Sequence, residues 1–270
     1  MAERERVVDF ANPPVTEVVF GAMFAPLRGL QTPHLGRLWA TWAELYPRCQ
    51  DVPPLPPVIE ELDGPARVTF TLSNLPELPR VWLLSEDNKT IVQLQRDRLH
   101  VNQRRLGDEP YEGFEEGFAR FSKVWKDFTE FAGTTFQETF AVGQLELTYV
   151  NLIPACELFS AVGDAGKVFP DLSWRQGSHP FLGEPEVVDW TTTFRLPEKL
   201  GRLHVAVRAR TARPDEATVF NMELTARGRP EDGSDAAQES WFRKAREAID
   251  QGFVELTEPR MHTEIWRRTR

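Results

Sequence analysis

At 270 residues with 41% hydrophobic and 11% aromatic side chains, the chain can bury one large core or two smaller ones, which excludes a disordered protein. Its 41 acidic against 32 basic side chains give a formal charge of -9, so nucleic acid is not an expected partner beyond some local basic patch. No run of about 18 apolar residues occurs, and the opening Met-Ala-Glu-Arg-Glu-Arg lacks the apolar core of a secretion signal, so no membrane contact and a cytoplasmic location are expected.

After the charged leader, Asn12-Pro13-Pro14 stops any helix, and Val15 to Phe24 is rich enough in β-branched and aromatic residues to be the first strand. Leu35, Leu38, Trp39, Trp42 and Leu45 then recur at steps of three and four, predicting a helix over 34–46 bounded by Pro33 and Pro47. Asp51-Val-Pro-Pro-Leu-Pro-Pro-Val reads as a stiff, extended surface connector. Strands are expected at 66–73, 80–86, 90–96 and 99–105, separated by turn signals at 74–79 and 87–89. Phe114, Phe118, Phe121, Trp125, Phe128 and Ala132 mark one face of a helix over 111–132, with Gly133 as its terminator.

The second half repeats this plan loosely. Strands are expected at 140–152, 185–196, 202–211 and 216–227, followed by a helix over 236–256 that buries Phe242, Ala245, Ile249, Phe253 and Leu256. The second half lacks a counterpart of the 34–46 helix; residues 154–184, with Pro154, Pro170, Gly177, Pro180 and Gly183, read instead as a loop-rich insertion. Beyond Leu256, Thr257 and Pro259 open a short docked helix anchored by Trp266. These patterns predict an α+β fold of antiparallel sheets gripped by long helices, with a duplicated strand-meander-helix unit dividing the chain into halves at 1–135 and 136–270. The two halves could equally form one continuous domain.

The hairpin at 90–105 carries the most chemistry. With a two-residue turn at Asp97 and Arg98, Gln95 faces His100 and Gln93 faces Asn102, so amides and an imidazole share one face while Val92, Leu94, Leu99 and Val101 supply the other. A wet outer face is the default for such alternation; an internal network or a ligand site are the alternatives, because buried unpaired polar groups cost about 1 to 3 kcal/mol each. In Leu145-Glu-Leu-Thr-Tyr-Val-Asn151, Glu146 and Thr148 share a face, while Tyr149 and Asn151 point with the leucines toward the apolar side as a structural network or a pocket wall. Arg208 and Arg210 share a strand face near Glu223 and Asn221, fitting cross-strand ion pairs or an anion site.

No Walker loop, Gly-x-Gly-x-x-Gly, Gly-x-Ser-x-Gly or His-Glu-x-x-His is present. The five histidines lack ligand spacing and Cys49 lies far from Cys156, so neither a metal site, a disulfide framework nor a cofactor is expected. Four stretches, Asn12-Pro-Pro-Val-Thr-Glu-Val-Val, Gln93-Leu-Gln-Arg-Asp-Arg-Leu-His-Val-Asn102, Leu147-Thr-Tyr-Val-Asn151 and Leu256-Thr-Glu-Pro-Arg-Met-His-Thr-Glu-Ile-Trp-Arg267, together resemble the sporadically distributed prokaryotic family of uncharacterised proteins of about this length. Gln103 departs from that pattern, which has tryptophan there. The resemblance spans the chain and implies no activity, substrate or catalytic residue; its patchy distribution fits an accessory or defence-associated factor. The leading expectation is a non-catalytic binding or interaction protein with a protein or small-molecule partner, a homodimer being left open. The competing expectation is an enzyme acting on a small molecule in a cavity between sheet and helices, using Gln95, His100, Asn102 and Glu146.

Overall fold

Residues that alternate between β-branched and small or polar types pair across the molecule in one large antiparallel sheet, seen in a computed structural model that describes residues 8–56, 59–60, 68–69, 78–107, 109–137, 141–173, 181, 183–210 and 216–270. In chain order the strands are β1 (Val15–Phe24), β2 (Arg48–Val52), β3 (Ile59–Glu60), β4 (Val68–Thr69), β5 (Arg80–Leu84), β6 (Thr90–Gln95), β7 (Arg98–Arg104), β8 (Val142–Pro154), β9 (Val187–Leu196), β10 (Gly201–Arg210) and β11 (Val219–Gly228). The helices are α1 (Thr32–Trp42), α2 (Phe114–Phe136) and α3 (Asp235–Leu256). Nine strands run in the order β2-β5-β6-β7-β1-β8-β11-β10-β9, and β3 and β4 form a separate pair. No helix among the described residues is long and apolar enough to cross a membrane.

The fold is α+β, and the strand-meander-helix unit occurs twice. In each unit the leading strand pairs with the last strand of the meander that follows, β1 with β7 and β8 with β11, and a long helix then crosses the same sheet face. Antiparallel pairing of β1 with β8 joins the units, so the expected separate sheets are one sheet that runs past the boundary at 135. Phe20 at this seam meets Phe114, Phe118 and Phe121 from α2 and Phe242 from α3. Arg243 of α3 closes the outer side of the helix pair through a two-pronged contact with Glu115 of α2 at 2.9 and 3.0 Å.

Several sequence expectations shift. The connector at 51–58 begins inside an edge strand, β2, which pairs with β5. Helix α1 ends at Trp42 and leaves Leu45 exposed. Helix α2 runs past Gly133 and stops at Gln137, whose left-handed backbone (φ 52°) turns its N–H onto the Gly133 carbonyl at 3.1 Å. The insertion after β8 is not featureless: 3-10 turns at Val162–Lys167 and Pro170–Leu172 bury Val162, Val168 and Phe169, while residues 174–180 lie outside the described residues, as does most of the strand expected at 66–73. The C-terminal segment docks as expected, through a π-helical turn at Met261–Ile265 and a buried Trp266 packed on Phe10 and Phe253.

Candidate functional site

Period-two alternation gives the sheet an apolar face under α2 and α3 and a polar face on the other side. The hairpin turns at Arg96 and Asp97, one residue earlier than expected, with Gln95 opposite Arg98, Gln93 opposite His100 and Ile91 opposite Asn102. Because each pairing moves by two positions, Gln93, Gln95, His100 and Asn102 keep to one face and Arg98 joins them. Tertiary bonds explain the choice of turn: the Asp97 carbonyl accepts from Phe24 N at 2.9 Å and the Arg96 carbonyl from Leu27 N at 3.0 Å.

One rung of this face crosses most of the sheet, from Trp82 through Gln93, His100, Gly21, Glu146 and Arg227 to Arg202. Gly21 is required there. The His100 imidazole lies over β1, and a Cβ on residue 21 would overlap its Cδ2 atom. The Gln93 amide is held on both sides, accepting from Arg80 and Trp82 at 3.0 Å and donating to Asn102 Oδ1 at 2.6 Å; Asn102 in turn donates to Glu17 at 2.6 Å.

The wet-face expectation is overturned. Gln93, Gln95, His100, Asn102 and Glu146 are all less than a tenth exposed, because the chain after β2 crosses the polar face and uses its groups as anchors. Gln95 exchanges two 2.8 Å hydrogen bonds with the backbone of Leu55, and Arg98 donates to the Pro56 carbonyl at 2.8 Å. Farther along, Glu60 is 2% exposed and accepts from Arg202 at 3.0 Å and Arg227 at 3.4 Å, with His204 Nε2 at 2.6 Å. Arg227 also donates to Glu146 at 2.6 Å.

Burial tends to raise both carboxyl pKa values, yet these cations outweigh it and hold Glu60 and Glu146 below the ordinary carboxylate range. Burial, opposed by Glu146 at 3.8 Å, pushes the His100 imidazole down to about 4, so it is neutral at pH 7. Its Nε2 has no hydrogen-bond partner. Most of this ion-pair lattice is satisfied, while His100 Nε2 and the Arg80 Nε beside Gln93 lack hydrogen-bond partners. Among the described residues no group of three or more His, Cys, Asp or Glu is placed to hold a metal ion.

The secondary candidates divide. Arg208 is exposed and reaches Asp189 across to β9 at 3.5 Å, an ion pair on a wet surface, while the Arg210 side chain lies outside the described residues. Tyr149 and Asn151 sit on the helix side, as alternation predicts, and line a cavity of about 890 Å³ between β8, α3, the chain before α2 and the two ends of the protein. Sequence reasoning missed the rest of that wall, which includes Phe10, Tyr111, Arg246, Asp250, Phe253 and Trp266. Arg246, Asp250 and Phe253 lie within the periodic helix α3; Phe10, Tyr111 and Trp266 come from segments outside the long helices and strands that folding brings together.

Asn151 donates its amide to the Met222 carbonyl at 3.2 Å. Burial, helped by the neighbouring Tyr111 phenol and Asp250 carboxylate, holds the Tyr149 hydroxyl well above the usual phenol range, so it stays a neutral hydrogen-bonding group at pH 7. Arg246 lies over the Phe114 ring at 4.9 Å and reaches Asp250 at 3.7 Å. The wall thus mixes aliphatic and aromatic surface with polar and charged groups. Gln93, Gln95, His100, Asn102 and Glu146 face the opposite side of the sheet and take no part in it.

No family model matches the chain, and no curated protein matches it. Among solved structures it is similar to the crystal structure of the di-domain ARO/CYC StfQ from the steffimycin biosynthetic pathway, at 13% identity over 88% of this chain and 96% of that one. The TM-score is 0.18, too low to support a conclusion about fold or function.

Proposed function

We propose that this protein is a non-catalytic binding protein that holds a small amphipathic molecule in the cavity between β8 and α3. The observation that carries this reading is the cavity itself. Its volume of about 890 Å³ falls in the range of small-molecule sites, and its wall combines apolar and aromatic surface with polar and charged groups such as Tyr149, Asn151, Arg246 and Asp250. An apolar body would rest against Phe253, Ile249 and Trp266, and a polar end would meet Tyr149.

The competing enzyme reading loses its named machinery. Gln95, His100, Asn102 and Glu146 lie across the sheet from the cavity, and their groups are largely committed to one another and to the crossing chain. His100, the best general base in sequence, is neutral but sealed at 5% exposure, out of reach of a substrate in the cavity.

A panel of amphipathic metabolites, polar nucleotides and simple hydrocarbons, screened by melting temperature, tests the proposal, since a ligand that binds only the native state raises apparent stability. Amphipathic compounds are expected to raise the melting temperature by several degrees. A panel in which none does so, or in which only nucleotides do, overturns the reading.

A further inference from the structure

Strand β9 closes one end of the sheet. Its inner edge pairs with β10 without a break from Val187 to Leu196, and among the described residues no strand takes its outer edge. A ten-residue edge presents a row of backbone donors and acceptors, which soluble proteins usually blunt with proline, lysine or a bulge. Strand β9 has none of the three, and its only charged side chains, Asp189 and Arg195, are of opposite sign. Val187 and Phe194 are exposed at 56% and 42%, and Asp189, Thr191, Thr193 and Arg195 are exposed as well.

The strand is also complementary to itself. Set antiparallel to a second copy about Thr192, it brings Asp189 opposite Arg195, Trp190 opposite Phe194, Thr191 opposite Thr193 and Val188 opposite Leu196, and the twofold axis repeats every pair. Both faces match at once. Trp190, Phe194, Val188 and Leu196 share the face that looks toward the helices, opposite Val207, Leu203, Ala209 and Gly201 of β10, while Asp189, Thr191, Thr193 and Arg195 share the polar face. Directly opposed aromatic pairs, threonine pairs and opposite charges are the contacts that stabilise antiparallel neighbours. Moving the axis to Thr191 sets Asp189 against Thr193 and Arg195 against Val187; moving it to Thr193 sets Arg195 against Thr191 and Trp190 against Leu196. Only the Thr192 register joins charge to charge and ring to ring.

We propose that β9 is the dimer interface of this protein, pairing with β9 of a second copy about a twofold axis at Thr192 so that one sheet runs through both copies. Such an interface is isologous and closed, so it uses up the β9 edge in both copies.

Sedimentation velocity on the full chain tests it, with D189R and the charge swap D189R/R195D as variants. The wild type should sediment as a dimer, D189R should raise the dissociation constant at least tenfold by placing two like-charged pairs in the interface, and the swap should restore the dimer. Disulfide trapping supplies a second readout in a C49S background, which removes the exposed native thiol. T192C should cross-link to itself under mild oxidant, because opposed residues of paired strands come within disulfide reach. T191C, which faces Thr193, should not. A wild type that is monomeric at hundreds of micromolar, a dimer indifferent to D189R, or equal cross-linking at 191 and 192 overturns the proposal.

Discussion

His100 shows how strongly one side chain can constrain its neighbours. It forces glycine at position 21, leaves its own Nε2 unpartnered, and stays neutral because burial depresses its pKa from 6.5 to about 4. The unfolded chain therefore binds a proton between pH 6.5 and 4 that the native state refuses, so stability is full above about pH 6.5 and falls as the pH drops through that window. Integrated over the window the loss is about 3 kcal/mol. His262, also depressed by burial and by Arg268, acts in the same direction, so the informative quantity is a difference between variants. Urea melts at a series of pH values should show H100Q losing less stability than the wild type between pH 6.5 and 4; parallel profiles would mean that His100 titrates normally. Glu60 makes a second residue-scale case. Removing one partner from a buried ion pair weakens the whole group, so E60A should cost about 3 to 5 kcal/mol, because Arg202, Arg227 and His204 each lose a buried carboxylate partner. A loss below about 1 kcal/mol would show that water reaches those guanidinium groups once the carboxylate is gone.

At the scale of elements, the long helices hold the two sheet units together through a cluster of phenylalanines. Phe121 is 2% exposed and touches Phe20, Trp125 and Phe242, which come from the sheet, its own helix and the helix of the other unit. F121A should cost about 3 to 5 kcal/mol in a urea titration, as aromatic truncations in cores do, and a cost under about 1 kcal/mol would place the ring outside the shared core. The periodicity of α2 and α3 was legible because apolar residues at steps of three and four report a buried helix face directly. The end of α2 was not, since glycine at 133 is only one way to stop a helix and the left-handed turn is made at Gln137 instead. In the hairpin, side-chain parity was legible and the turn was not. Asp97-Arg98 and Arg96-Asp97 place the same groups on the same faces, and bonds from Phe24 and Leu27, distant in sequence, decide between them.

For the whole molecule, the architecture follows from patterns that each unit carries locally, while the candidate site depends on contacts that no local pattern encodes. The polar row on β6 and β7 looks like a wet surface in sequence because Leu55, Pro56 and Glu60, which cover or complete it, and Arg227, which extends it, belong to other parts of the chain. Tyr149 and Asn151 could be placed on the apolar side by alternation alone, but the cavity they line is completed by both chain ends and by the residues before α2. The division of labour is the central claim: the lattice around His100 maintains the fold, and the cavity beside Tyr149 binds. Ligand-induced shifts in melting temperature, measured on the wild type, H100Q and A11W with an amphipathic compound that stabilises the wild type, test it most directly. Ala11 is an exposed residue on the cavity wall, so an indole there fills the mouth without disturbing the core. The account predicts that H100Q, whatever its own stability, keeps the full ligand-induced shift and that A11W loses it; a shift abolished by H100Q and retained by A11W would contradict it.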